Sequence, residues 1–146
     1  MEFTEIAETG SRAEGAIGCL GHIGPKHHAI IVGRSMSDGV VYLAEKMTHG
    51  YQLSTWEHFI GRYARYGQIK IAPNNGQFKN SDVANRALSE IAARSSEEYH
   101  LLTDNCESFA NRAMYGNPTS GQVIRTALGL LVGGVGLWLY ANRNSH

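Results

Sequence analysis

A chain of 146 residues with 13 Lys and Arg against 13 Asp and Glu carries no formal net charge. The length fits one domain with a real core, and nothing in the chain resembles the basic patch or stripe that a nucleic-acid partner requires. Two cysteines, Cys19 and Cys106, cannot form a disulfide framework, which fits a reducing compartment.

Residues 1–14 are polar and read as a loose lead-in. Met1 to Gly10 holds three glutamates and no apolar run, so no secretory signal is expected. The stretch Gly15 to Gly24 alternates weakly but is rich in glycine, and glycine weakens a strand. His27 to Gly33 reads as a buried strand. Asp38-Gly39 is a hairpin signal, and Val40 to Ala44 is the returning strand. Thr48 to Gln52 reads as loop. Ser54-Thr55-Trp56-Glu57 is a capping box opening a helix to about Arg65, closed by Gly67. Gln68 to Ala72 is a strand and Pro73 to Gly76 a turn. A helix is expected from about Ser81 to Arg94, with Val83, Ala84, Ala87, Leu88, Ile91 and Ala92 on one face.

Thr103 to Ala110 has the shape of a nucleophile site: a polar turn leads into a helix with Cys106 in its first turn. Asp104 is the expected N-cap, with Glu107 completing a capping box. A cysteine placed there meets backbone N–H groups and the positive end of the helix dipole. That favours thiolate and can bring the thiol pKa well below about 8.5. The same N–H groups can hold a developing oxyanion. The helix should end near Tyr115, with Gly116 following and Pro118 beyond.

Residues 119–146 form a different kind of segment. Thr126 to Tyr140 has no charge, and Gly129 and Gly133 make a G-x-x-x-G pair. A helix of that length spans roughly 22 Å, short of the bilayer core of about 30 Å. Three uses stay open: a marginal membrane anchor, a helix docked on the domain or a membrane surface through residues 123–141, or self-association through the two glycines.

A cysteine nucleophile needs a base within reach and a third group to orient that base. His27 and His28 open a strand and point to opposite faces, so residue chemistry alone does not choose between them. His22 and His100 are further possibilities. His49, His58 and His146 read as peripheral. No C-x-x-C or H-E-x-x-H occurs, so neither metal nor cofactor is expected.

His27-x-x-Ile30-x-x-Gly33 followed by Asn105-Cys106-Glu107-x-Phe109 resembles the lecithin:retinol acyltransferase (LRAT) family, which includes the H-Ras-like suppressor phospholipase/acyltransferases and bacterial members. The resemblance spans roughly residues 13–141. It implies an α+β, permuted papain-like (NlpC-type) fold: an antiparallel sheet with packed helices over residues 15–118, followed by a hydrophobic C-terminal helix. It implies His27 as general base and Cys106 as nucleophile, with Asn105 and Glu107 shaping the oxyanion turn. Aligning the return strand puts Tyr42 where many members carry a second histidine that orients the base. The chain departs from the family pattern at Gly15-Ala16, Pro25 and Ser108.

The implied activity is thiol acyl transfer or phospholipase A-type hydrolysis through a thioester. The substrate would be a phospholipid or other acyl-lipid, met in the cytoplasm or at the cytoplasmic face of a membrane. A peptidase or amidase using the same dyad, and a non-catalytic binding protein, are the alternatives.

Overall fold

The computed structural model describes residues 1–94 and 105–116. The hydrophobic tail, His100 and Asp104 lie outside the described residues. Strands β1 (Phe3–Thr4), β2 (Arg12–Ala16), β3 (Lys26–Ser35), β4 (Val41–Met47), β5 (Gly50–Thr55) and β6 (Lys70–Ala72) form one antiparallel sheet. Its order is β5-β4-β3-β2-β6, with β1 pairing β3 beyond the end of β2. Helices α1 (Trp56–Tyr63), α2 (Asn80–Arg94) and α3 (Cys106–Tyr115) complete an α+β arrangement. Among the described residues no helix is long and apolar enough to cross a membrane.

Strand alternation divides the core in two. Ala29 and Ile31 of β3 join Ala13, Leu43, Phe59 and Tyr63 on the face that α1 covers. Ile30 and Val32 join Ala44, Val83, Ala87 and Phe109 on the face that α2 and α3 cover. Phe59 and Phe109, one on each side, are completely buried. Each contributes about 2–3 kcal/mol by burial. The sheet is therefore filled from both faces, and the two neighbours His27 and His28 are sent to opposite sides of it.

Three local expectations change. Residues 1–14 are not a loose lead-in, because β1 and most of β2 lie there and β2 is internal to the sheet. The polar stretch 48–52 holds a tight turn between Met47 and Gly50 and then the start of β5, whose Tyr51 and Leu53 pack on the core. Pairing with β4 outweighs the polar composition there. The α1 cap is Thr55 rather than Ser54: its hydroxyl accepts from the His58 N–H at 3.2 Å. Ser54 instead turns its hydroxyl toward Arg62.

Gly33 has a φ of +140° beside a bulge in β3, and a β-carbon there would come within 2.6 Å of the Thr4 carbonyl oxygen. Only glycine lets β1 lie this close. Gly15 matters for the site itself. It stands opposite His27 in the β2–β3 register, and a β-carbon would lie 2.6 Å from both Cβ and Cγ of Tyr63. Those atoms sit at the root of the side chain and cannot swing aside. Gly15→Ala is expected to lower stability by about 1–3 kcal/mol, read as a lower unfolding midpoint.

Candidate active site

Residue Asn105 caps α3, with its side-chain oxygen accepting from the Ser108 N–H at 2.9 Å and the Ser108 hydroxyl at 3.2 Å. This corrects the expected cap. The capping residue is one position later than Asp104, so the third helical position is Ser108 and Glu107 closes no capping box. Cys106 becomes the first helical residue, at the positive end of the dipole. Gly116 ends the helix at φ +72°, its N–H reaching the Arg112 carbonyl.

His27 is the second residue of β3 and Cys106 the first of α3, and the fold brings them together. Cys106 is close enough to His27 to help hold the proton on its ring, and the sulfur lies 3.8 Å from the Lys26 carbonyl oxygen. Both residues are buried. His27 Nε2 lies 2.7 Å from Glu45 Oε2, so Nδ1 is the nitrogen left to meet the sulfur. Glu45 is completely buried and its other oxygen accepts from Arg62 Nη2 at 2.5 Å. The ring of Tyr63 stacks on His27 with centroids 5.0 Å apart, and the Arg62 guanidinium lies 5.2 Å from the Tyr63 ring centroid. Sulfur, imidazole, carboxylate and guanidinium thus form one chain of contacts between α3 and α1.

The electrostatics follow from that chain. Burial alone would strip the proton from His27, but the hydrogen bonds and charges of Cys106 and Glu45 outweigh it and raise its pKa to about 9. Burial likewise opposes charge on Glu45, yet the hydrogen bonds from His27 and Arg62 hold it below its ordinary value. Burial pushes Tyr63 up to about 12, with Arg62 opposing and the charges of Glu45 and Cys106 assisting.

Tyr42 does not orient the base. Residues 41, 43 and 45 of β4 share the His27 side of the sheet, whereas Tyr42 alternates to the other. Its hydroxyl donates to Asp38 at 2.8 Å and its ring packs edge-on to Phe3. The side chain that meets the far nitrogen of His27 is Glu45. The signal for it was present in the sequence: it is the one carboxylate between Val40 and Met47, two residues from Leu43 on the same face. Arg62 and Tyr63 were missed as well, because nothing local ties a helix surface to a strand end.

His28 lies on the opposite face, buried, with neither ring nitrogen hydrogen-bonded. Burial and the positive charge of Arg12 press its pKa down to about 3. It stays neutral and takes no part in the Cys106 contacts. Glu107, half-buried in the first turn of α3, contributes its negative charge to the surroundings of His28. His22 is engaged with the Gln68 carbonyl at 2.7 Å. His49 and His58 are exposed. One cavity of about 510 Å³ lies between α2 and α3, bordered by Phe78, Arg86 and Glu90, and another of about 510 Å³ is bordered by Met47, Ser54, His58 and Arg62.

Compared with known protein families, curated proteins and solved structures, the chain matches none.

Proposed function

We propose that this protein is a thiol acyltransferase or phospholipase A-type lipid hydrolase of the LRAT kind, on a permuted papain-like fold. The observation that carries this reading is the Cys106–His27–Glu45 contact chain at the start of a helix packed on an antiparallel sheet, with the base preceding the nucleophile in sequence. An imidazolium beside a sulfur favours the thiolate, and the helix dipole adds to it.

In the first half-reaction the Cys106 thiolate attacks the ester carbonyl carbon. The carbonyl electron pair moves to oxygen, which the backbone N–H at the helix start stabilises. As the tetrahedral intermediate collapses, the C–O bond breaks and His27 gives its proton to the departing alkoxide. A thioester on Cys106 and a free alcohol result. In the second half, neutral His27 takes a proton from water or from an acceptor hydroxyl or amine as that group attacks the thioester. Sulfur leaves as thiolate, and the imidazolium is restored. Glu45, held by Arg62, keeps the ring in the productive tautomer throughout.

Water as acceptor makes the enzyme a hydrolase, and a lipid acceptor makes it a transferase. Two cysteines without a disulfide suit work in the cytoplasm or at the cytoplasmic face of a membrane.

Incubation with a phosphatidylcholine bearing a labelled acyl chain, quenched in acid, should leave an acyl adduct on Cys106 that hydroxylamine removes. Cys106→Ser should carry none. Failure to acylate Cys106 by any phospholipid, with turnover of a small peptide or amide instead, would move the same residues to amidase chemistry.

A further inference from the structure

Between β2 and β3 the chain makes a projection over residues 17–25, from Ile17 to Pro25. It has no charged side chain other than a potential imidazolium at His22, which is itself engaged. The large apolar residues face outward: Ile17 is 44 %, Leu20 60 % and Ile23 91 % exposed. Cys19 and Pro25 are exposed as well. Apolar groups this open, close together in one loop, mark an interaction surface rather than ordinary surface scatter.

The projection is held in shape. The Ile17 N–H reaches the Pro25 carbonyl at 3.0 Å, closing its base, and a short 3-10 turn, Gly21–Ile23, forms its tip. His22 Nε2 lies 2.7 Å from the Gln68 carbonyl oxygen, pinning it to the chain after α1. A folded loop therefore displays these side chains at little further ordering cost.

Its base is also the reactive site. Lys26, whose carbonyl lies beside the Cys106 sulfur, follows Pro25 directly, and His27 is next. Cations border the projection, while Glu14, opposite His28, and Glu107, beside Cys106, lie past its base. Lys26 pairs with Ala16 at the base, and Arg65 sits in the turn whose Tyr66 carbonyl borders Gly21. Neither residues 15–37 nor residues 58–81 contain an Asp or Glu.

We infer that residues 17–25 dip into the surface of an anionic phospholipid bilayer, with Ile17, Leu20 and Ile23 among the acyl chains and Lys26 and Arg65 at the headgroups. This rests on the lipid reading above and extends it: the substrate is met at an assembled surface, and the projection sets the thiol at headgroup depth. Apolar contact with a basic rim is the pairing that holds interfacial segments on acidic membranes.

Cys19 supplies a reporter. An environment-sensitive fluorophore on Cys19 in a full-length Cys106→Ser protein is titrated with vesicles of phosphatidylcholine and phosphatidylserine. The emission should shift to the blue and be quenched by lipid spin-labelled on its acyl chain. Adding Leu20→Asp with Ile23→Asp, both at exposed positions, should raise the lipid needed by on the order of tenfold or more.

Three results would overturn the inference: co-sedimentation with vesicles while the probe is unchanged, an equal shift in the Asp variant, or a shift without lipid that grows with protein concentration. The last would make the projection a contact between chains. Serine at position 106 keeps this outcome separate from that of the acylation experiment.

Discussion

Glu45→Gln should lower kcat by about a thousandfold or more while leaving a folded protein, because it removes the charge and misdirects a tautomer. The buried carboxylate accepts from His27 on one oxygen and from Arg62 on the other. An amide has one acceptor and one donor end. Arg62 can only donate, so it claims the amide oxygen and turns the NH2 toward His27 Nε2. That nitrogen must then accept, its proton moves to Nδ1, and the nitrogen facing Cys106 can no longer take a proton from sulfur. Glu45→Ala should cost more stability, about 3–5 kcal/mol, since it strands partners built around a buried charge. Steady-state kinetics beside a urea denaturation curve separate the two effects. A Gln variant that folds and turns over normally would remove Glu45 from the machinery.

The second large effect is in the pH profile. In the proposed reaction His27 is protonated to release the leaving alkoxide, and its pKa is raised to about 9. The imidazolium is therefore present below that pH and lost above it. The kcat/KM profile should hold a plateau through neutral pH and fall as the pH rises through about 9. Glu45 is one of the groups that raise His27, so Glu45→Gln should move the alkaline limb to lower pH. An ordinary imidazole would instead begin to lose its proton at about 6.5. A wild-type rate already falling through pH 7 would mean that His27 is not held as the acid.

Much of this arrangement was legible in the sequence, and what was not has a physical cause. The His27–Gly33 strand, the hairpin at Asp38-Gly39, α2 and the end of α3 at Gly116 are set by local patterns: a continuous apolar run, a positive-φ turn, helical spacing and a left-handed cap. The partnership of His27 with Cys106 came from resemblance, since 79 residues separate them and no periodicity spans that gap. Aligning the return strand with the family pattern puts Tyr42 on the base. Strand period two forbids it, as one step in register moves a side chain to the other face. Glu45 lies one residue past the expected end of that strand, so stopping at Ala44 hid it. The edge strand β5 was lost because its start is polar and its partner is supplied by tertiary pairing. Arg62 and Tyr63 depend on how α1 lies over the sheet, and Gly15 gives Tyr63 its room only once that packing exists.

The thiolate absorbance of the wild-type protein, titrated against pH with Cys106→Ser as the blank, tests the His27–Cys106 pair most directly. The pair should give a full thiolate signal already at neutral pH, and His27→Gln should push its appearance toward the ordinary thiol range of about 8.5. A wild-type sulfur that ionises only in that ordinary range, unmoved by the loss of His27, would contradict it.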